Sequence, residues 1–256
     1  MFDCHVHGPF SSDSKETMAK IQARLSKDTT LSMILTEHWD FDMPTKESFV
    51  FDLQEYAKAA TDWRSNRLLF GIEFGIWQGT IAKTRTIANA FPYDIVLGSV
   101  HTAEYINFIS GSLPEGMNKK TYFDFYFHCM LELIEQAEYF DVLAHLDYIS
   151  RYIALPDPYI RLGEHGELVE EVFKQLLARD KILELNTKLF FKPDAVAAAE
   201  KLYQLYYDLG GRYVTLGSDA HHASGIAHYF QQATMILEKC QLRPVYFLDR
   251  KLVYIN

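Results

Sequence analysis

Cysteine and long apolar runs are both scarce in this sequence, and each absence excludes a class of protein. The 256 residues contain three cysteines, Cys4, Cys129 and Cys240, which are odd in number and far apart. Cysteines in this pattern form neither a disulfide framework nor a zinc knuckle, and they indicate a reducing, cytoplasmic compartment. No apolar run reaches the length of about 18 residues that a membrane span requires, so we expect none. The first residues follow a strand pattern without the features of a signal peptide.

Positive charge is also in short supply. Lysine and arginine number 25 against 34 acidic residues, which gives a net charge of −9. This balance argues against a broad basic surface and therefore against a nucleic-acid partner, although a local phosphate site is compatible with it. The sequence has no low-complexity linker, repeat or long charge run. With 48% hydrophobic residues it can bury a large core, and we expect one domain over residues 1–256.

Seven short apolar segments alternate with amphipathic helical stretches. We expect strands at Phe2–His7, Ser32–Glu37, Leu68–Phe74, Asp94–Val100, Asp141–His145, Ile182–Thr187 and Tyr213–Ser218. Repeated strand–helix units predict an α/β fold with a parallel sheet and crossover helices. After them, Val245–Leu248 and Leu252–Ile255 predict a closing hairpin.

The first strand opens with a histidine pair that is suited to metal binding. His5 and His7 are two residues apart, so on a strand they share a face and lie about 6–7 Å apart. Both imidazoles could therefore reach one ion. We expect Phe2, Cys4 and Val6 to face the other way and to pack.

Polar residues occupy the end of nearly every predicted strand. The metal-type side chains among them are His5, His7, Asp13, His38, Glu73, His101, His145, Asp219 and His221. In α/β barrels the carboxyl ends of the strands form the active-site rim. A buried set of this kind is unfavourable without metals or ion partners. Glu73 lies in a buried strand between glycines, which indicates a carboxylate that bridges two metals.

Several of these residues have simpler interpretations when taken singly. Each histidine could be a core or surface residue, and Asp13 could cap a helix, with Glu16 completing a capping box. Outside the set, we expect His128 to pack within an aromatic helix and His165 to lie in a surface turn.

The order of the nine residues resembles the PHP family, named for polymerase and histidinol phosphatase. Its pattern is an opening HxH with a downstream acid, then single His and Glu ligands, then a final DxH. The resemblance covers essentially the whole chain and implies a distorted (β/α)7 barrel. Within the family, the chain is most similar to monofunctional histidinol-phosphate phosphatases. The motifs that carry this similarity are Gly71-Ile72-Glu73, Gly98-Ser99-Val100-His101, Ala144-His145-Leu146-Asp147, Glu184-Leu185-Asn186-Thr187 and Gly217-Ser218-Asp219-Ala220-His221.

The resemblance implies three divalent metal ions. The first would be held by His5, His7, Glu73 and Asp219, the second by Glu73, His101 and His145, and the third by Asp13, His38 and His221. Nitrogen and oxygen ligands without thiolate suit zinc, manganese or iron(II), and the sequence does not choose among them.

Cationic side chains are expected to hold the phosphate. Arg151, soon after the fifth strand, is the first candidate. Where the family often has an arginine after the sixth strand, this chain has Lys188, with Lys192 nearby. Lysine supplies charge without the bidentate fork of arginine.

The expected reaction is hydrolysis of a phosphate monoester. Two metals that share Glu73 would lower the pKa of a bound water to roughly 7, and the hydroxide would attack phosphorus. The third metal, Arg151 and Lys188 would neutralise the phosphoryl oxygens. Direct catalytic roles fall to Glu73, Asp219 and Arg151. The proton donor to the leaving group stays open among Asp147, Asp40 and a metal-bound water.

The substrate implied by the resemblance is L-histidinol phosphate, an intermediate of histidine biosynthesis, whose amine and imidazole suit an acidic protein. One alternative is a PHP phosphoesterase that acts on a nucleotide, a 5′ nucleic-acid end or phosphotyrosine. A second is a non-catalytic metal-binding or regulatory protein. A third is an amidohydrolase-type barrel, although that family expects a lysine bridge where this chain has Glu73. The oligomeric state and the role of the aromatic segment Tyr122–Phe127 are left open.

Overall fold

Short parallel strands and the helices that connect them make up the fold. The computed structural model describes residues 1–43, 49–103 and 106–255. The strands are β1 (Phe2–Val6), β2 (Ser32–Asp40), β3 (Leu68–Gly75), β4 (Val96–Ser99), β5 (Thr102–Ala103), β6 (Ile106–Asn107), β7 (Val142–Leu143), β8 (Ile182–Asn186), β9 (Tyr213–Gly217), β10 (Arg243–Leu248) and β11 (Lys251–Tyr254). The helices are α1 (Met18–Lys27), α2 (Leu53–Trp63), α3 (Ile81–Ala88), α4 (Lys119–Gln136), α5 (Ile149–Tyr152), α6 (Leu162–Ala178), α7 (Pro193–Asp208) and α8 (Phe230–Cys240).

Seven of the strands form a closed, parallel barrel. The sheet runs in the order β1-β2-β3-β4-β7-β8-β9, and the ends of β1 and β9 meet. Val6 pairs in parallel with Ala220. The His7 backbone N–H donates to Ala220 O at 2.9 Å, and the Asp219 N–H donates to His5 O at 2.8 Å. These contacts close the α/β barrel, so the predicted distorted (β/α)7 fold is confirmed.

The distortion arises because two strands share one edge of β9. Near its start β9 pairs with β10, where Tyr213 is opposite Arg243, and at its end it meets β1. Strands β10 and β11 form the predicted antiparallel hairpin. Its two turn residues, Asp249 and Arg250, have φ values of 50° and 63°. Positive φ at both positions is typical of the two-residue turns whose twist matches that of a hairpin.

The interior of the barrel is apolar at the bottom and polar at the top. Phe2 and Cys4 belong to a buried cluster with hairpin residues such as Val245, which closes the bottom. Val6 instead joins the larger cluster that includes the helices. The register of β1 against β2 shifts between Asp3 and Val6, so the alternation of side chains is interrupted. The prediction that Cys4 packs in the core is confirmed. The prediction that Cys4 and Val6 lie on the same face of β1 is wrong.

The aromatic segment Tyr122–Phe127 is core rather than lid. It lies within α4, which packs against α6, and the Phe123 ring stacks on His165 at a centroid distance of 5.1 Å. His165 is buried, and its Nδ1 lies 3.0 Å from Asp124 Oδ1, so its predicted place in a surface turn is wrong. His128 is exposed, which contradicts its predicted packing. In the described part of the chain, no helix has the length and apolar character needed to cross a membrane.

Candidate metal centre

The carboxyl ends of the barrel strands bring the predicted metal-type side chains together. Four overlapping groups place their ligand atoms within 4.8 Å of one another: His5, His7 and Asp219; His5, Glu73 and His145; His7, His38 and His221; and His38, Asp40 and His101. Eight of the nine predicted residues occur in these groups. The ninth, Asp13, contacts the same cluster through His221 and His38. The sequence pattern therefore corresponds to one continuous site.

Glu73 is at the centre of this cluster and is fully buried. Its Oε1 lies 2.7 Å from His145 Nε2 and 3.2 Å from His101 Nε2. Its Oε2 lies 2.9–3.5 Å from ring nitrogens of His5, His7 and His38. Ser99 donates to Oε1 at 2.6 Å and fixes the carboxylate. The two oxygens of Glu73 thus face two different sets of histidines, which is the geometry that a bridging ligand requires.

Asp219 completes the set around the opening histidine pair. The Nε2 atoms of His5 and His7 lie 3.1 Å apart, and Asp219 Oδ1 lies 3.2 Å from His7 Nε2 and 3.9 Å from His5 Nε2. Asp219 has a φ of 54°, a left-handed conformation that is uncommon for residues other than glycine. This conformation occurs at the point where β9 ends and the barrel closes.

A third group lies nearer the surface. Asp13 Oδ2 is 3.0 Å from His221 Nε2 and 3.5 Å from His38 Nε2. The interpretation of Asp13 as a helix cap is wrong, because Thr17 caps α1 and its side chain accepts a hydrogen bond from Lys20 N–H. The side chains of Asp13 and His221 are 33% and 19% exposed, so this group faces the open mouth of the site.

The charges of the cluster stabilise one another. Burial alone would raise the pKa of Glu73, but the surrounding histidines His5, His101 and His38 hold it well below its ordinary value. Burial opposes ionisation of Asp219 in the same way, and Arg151 and His5 keep its pKa well below the usual range. Both carboxylates are therefore ionised at neutral pH and can act as ligands.

The pKa of His7 is shifted in the opposite direction to those of His5 and His38, which nearby carboxylates raise well above the ordinary value against the effect of burial. Burial lowers its pKa well below the ordinary value, and the nearby His38 and His221 lower it further. The His7 ring stacks on His38 with centroids 4.0 Å apart. A neutral imidazole in this position has a lone pair available for a metal.

A layer of carboxylates behind the histidines was not predicted to orient them. His5 Nδ1 lies 2.7 Å from Glu184 Oε1, and His101 Nδ1 lies 3.0 Å from Asp40 Oδ2. Carboxylates in this position commonly orient metal-binding histidines. The signal in the sequence is that Glu184 lies in the predicted strand Ile182–Thr187 and that Asp40 closely follows the predicted strand Ser32–Glu37.

His7 is held in a similar way, with a hydroxyl in between. Its Nδ1 lies 3.1 Å from Ser11 Oγ, and Ser11 donates to Glu37 Oε2 at 2.6 Å. Glu37 also accepts from the backbone N–H groups of Gly8 and Ser11, each at 2.9 Å. The loop that follows β1 is thereby tied to β2 directly behind the histidine pair.

Two cations line the same cavity as the histidines. Arg151 donates from Nη1 to Asp219 Oδ2, and its Nε and Nη2 are buried without a hydrogen-bond partner among the described residues. Lys188 donates from Nζ to Asp219 O and lies 3.3 Å from His221 Nδ1. Both cations therefore border the metal-type cluster, and their contact with a phosphate stays a prediction.

The two acids considered as proton donors differ in position. Asp40 lines the cavity of the histidines, but its Oδ2 accepts from His101. Asp147 lines a different cavity, together with Ser150 and Asn186, so it is not placed to protonate a leaving group at the metal-type cluster. Neither acid is assigned that role.

Apolar and aromatic side chains line the same cavity beside the histidines. They are Met43, Phe49, Ile109, Tyr148 and Tyr152. The centroid of the Tyr148 ring lies 4.7 Å from that of His101, and the Phe49 and His38 centroids are 5.6 Å apart. The cavity thus combines metal-type ligands with surface suited to an organic group.

The donor set fits divalent metal ions. The clustered groups consist of imidazole nitrogens and carboxylate oxygens, which suit zinc, manganese and iron(II). Glu73 Oε2 and His38 Nδ1 are buried and lie 2.9 Å apart, but neither has a hydrogen bond of suitable geometry within the described ranges. Unpaired buried polar atoms are costly, and coordination to metals would satisfy them.

Comparison with known proteins agrees with this geometry. The PHP domain model matches residues 3–188. A probable histidinol-phosphatase from Clostridium acetobutylicum is 37% identical over 255 residues, covering 99% of both chains. A histidinol-phosphatase from Lactococcus lactis is 28% identical over 228 residues, covering 86% of this chain and 84% of the relative. The crystal structure of histidinol phosphate phosphatase from Lactococcus lactis, complexed with zinc, L-histidinol and phosphate, superposes with a TM-score of 0.87 at 27% identity and covers 98% of both chains. The chain belongs to the PHP domain family.

Proposed function

We propose that this chain is a phosphomonoesterase that hydrolyses L-histidinol phosphate to L-histidinol and phosphate in histidine biosynthesis. The observation that carries the proposal is the position of Glu73, whose two oxygens face separate histidine groups beside the buried cation Arg151. The names of the relatives, at up to 37% identity over 99% of the chain, support the choice of substrate. We assign residues 1–256 to one metal-dependent phosphoesterase domain and, from the cysteine pattern, a cytoplasmic location.

Three divalent ions are proposed for the site. The first is held by His5, His7, Glu73 and Asp219, the second by Glu73, His101 and His145, and the third by Asp13, His38 and His221. The first set is supported by the clustering of His5, His7 and Asp219. The second is supported by the distances of 2.7 and 3.2 Å from Glu73 Oε1 to His145 and His101, and the third by the 3.0 Å contact of Asp13 with His221. Zinc in the Lactococcus lactis structure supports zinc as one of the ions.

The bound ions would supply a water that is nucleophilic at neutral pH and positive charge next to the phosphoryl group. Glu73 and Asp219, both ionised, hold their positions under the substrate. The free Nε and Nη2 donors of Arg151 bind two phosphoryl oxygens, and Lys188 adds a third positive contact at the exposed side. These donors are in place before the reaction, so they bind the charged phosphate of the substrate and keep that contact in the transition state.

The alcohol portion of the substrate is proposed to contact the aromatic side chains of the cavity. Tyr148 directly precedes α5, Tyr152 is its last residue, and the centroids of their rings are 5.3 Å apart. An aromatic ring such as imidazole can pack against such side chains. The protein would then bind the phosphate and the leaving group within one cavity.

The experiment that tests this proposal is phosphate release from L-histidinol phosphate by purified protein loaded with manganese. Protein stripped with EDTA is the control, and p-nitrophenyl phosphate and AMP are the comparison substrates. We expect metal-dependent release that is selective for L-histidinol phosphate. Cleavage of the other esters without L-histidinol phosphate would overturn the substrate and favour a nucleotide, a 5′ nucleic-acid end or phosphotyrosine. Full metal loading without hydrolysis of any ester would favour a non-catalytic metal-binding protein.

A further inference from the structure

Two buried carboxylates in the barrel reach histidines that lie two strands away. Asp40 is on β2 and contacts His101, which follows β4. Glu184 is on β8 and contacts His5 on β1. In each case one strand lies between, β3 for Asp40 and β9 for Glu184, because β9 is the neighbour of both β8 and β1.

A glycine occupies the intervening strand at each crossing. Gly75 of β3 is the direct register partner of Asp40. A Cβ at this position would overlap Asp40 Oδ1 and lie 2.6 Å from Asp40 Cγ and 3.1 Å from His101 Nδ1. Gly217 of β9 is equivalent, since a Cβ there would overlap Glu184 Oε1 and lie 2.9 Å from Glu184 Cδ and 2.7 Å from His5 Cβ. The carboxylates pass over the strands through the space that a side chain would fill.

Backbone conformation does not explain the glycine at position 75. Gly75 is the last residue of strand β3 and lacks the positive φ found at Gly111, Gly116 and Gly210. Glycine loses more conformational freedom on folding than alanine does, so alanine would ordinarily be preferred there. The end of the Asp40 side chain is the nearest obstacle to a methyl group, so the space serves Asp40.

The contact determines which nitrogen of His101 faces the cluster. A carboxylate accepts hydrogen bonds only, so His101 donates from Nδ1 to Asp40. Nε2 then points at Glu73 Oε1, 3.2 Å away, and His145 Nε2, 3.4 Å away. An imidazole binds a metal through the nitrogen that carries the lone pair, and the partner of the other nitrogen selects it.

We propose that Gly75 is a positioning residue of the metal site. The absence of a side chain at this position lets Asp40 cross β3 and fix His101 with Nε2 toward the second metal. Gly217 and Glu184 do the same for His5. This inference rests on the proposed function, because it assumes that His101 and His5 bind metals. It adds a requirement on residues that themselves touch neither metal nor substrate.

The test compares Gly75→Ala with Gly98→Ala. Gly98 lies on the adjacent strand β4, where a Cβ would meet the Phe140 ring at 3.0 Å and no carboxylate. Cobalt(II) is titrated into each metal-free protein, and affinity is measured by competition with a chelator together with the visible absorption spectrum. We expect one of the three cobalt affinities to fall about 10–100-fold in Gly75→Ala, with an altered spectrum. Gly98→Ala should keep all three affinities within about twofold, even if the melting temperature falls.

Equal cobalt affinities and spectra in Gly75→Ala and the wild type would overturn the inference. If Gly75→Ala unfolds, Asp40→Ala removes the hydrogen-bond acceptor of His101 with the glycine in place. We expect the Asp40→Ala variant to bind the full number of ions at saturating cobalt, with the weakened affinity described above. Unchanged cobalt affinity in this variant would overturn the positioning role. Loss of one ion at saturating cobalt would overturn it as well, because Asp40 would then be a metal ligand itself. Absence of L-histidinol phosphate hydrolysis by the wild type would overturn the substrate alone, since the cobalt comparison does not depend on it.

Discussion

Replacement of Arg151 by methionine should separate its contact with substrate from its contact with Asp219. Methionine keeps much of the buried stem and removes the charge. In the proposed complex the substrate loses the hydrogen bonds from Nε and Nη2. A hydrogen bond to a charged group contributes about 1.5–3 kcal/mol, so two of them amount to about 3–6 kcal/mol. This corresponds to a loss of roughly 10²- to 10⁴-fold in kcat/KM, mainly through a higher KM, since the phosphate is charged before the reaction begins.

The same variant has a second effect on stability. The Arg151 and Asp219 side chains are 6% and 4% exposed, and removing one partner of a buried ion pair costs about 3–5 kcal/mol. For a chain of this size, such a loss lowers the melting temperature by about 6–20 °C. Metal ions bound to Asp219 would replace the lost positive charge, so the decrease should be much smaller in metal-loaded protein.

Steady-state kinetics on L-histidinol phosphate and thermal unfolding with and without EDTA measure both effects. Arg151→Lys is the matched control, because lysine keeps the positive charge but lacks the paired N–H donors of the guanidinium group. Its KM and melting temperature should lie between those of the wild type and Arg151→Met. An unchanged KM in Arg151→Met would refute the phosphate contact. Equal destabilisation in the presence and absence of metal would refute the pairing of Arg151 with a metal-binding Asp219.

Three further perturbations test other parts of the site. Glu73→Gln should lower kcat more than about 10³-fold, because the carboxylate proposed to bridge two metals is lost. The metal content, measured by elemental mass spectrometry, should fall below three ions per chain. Near-normal turnover would exclude the bridging role. Burial alone lowers the pKa of His101, but Asp40 and Glu73 raise it to about 9. This stabilisation of metal-free protein is fully present below about pH 6.5 and is lost as the pH rises through about 9, so the melting temperature in EDTA should fall between pH 7 and pH 9.5. A constant melting temperature would contradict the coupling. Lys188→Arg should lower KM about 3–10-fold by adding a second donor to phosphate, and a higher KM would place Lys188 away from it.

The order of ligand types along the chain was sufficient to predict the cluster. Residues such as His5 and Glu73 lie at strand ends, and parallel strands bring their carboxyl ends to one rim whatever the details of packing. The seven barrel strands were predictable because each is an apolar run bounded by turn residues. Prediction of the nine-residue cluster therefore required only the order and direction of the strands, which can be read from the sequence.

Contacts that cross between strands could not be predicted in the same way. The link from Glu184 to His5 depends on β9 lying between β8 and β1, and the closure of the barrel is a property of the whole chain. The predicted face of Val6 was wrong because the register of β1 shifts where it pairs with β2. This shift leaves no signal in the local sequence. His165 was misplaced because its neighbours Gly163 and Gly166 suggested a turn, whereas burial against Phe123 keeps it in α6.

Closure of the barrel also determines when the site can form. Asp13 and His221 are 208 residues apart, and they lie beside the junction of β1 with β9. Contacts between such distant segments form late in folding, because the loop between them must first be closed. We therefore expect the proposed third metal to bind only after β9 has joined β1. That ion would stabilise the closed barrel against local opening, so hydrogen exchange at the Asp219 and His7 amides should slow sharply when metal is added.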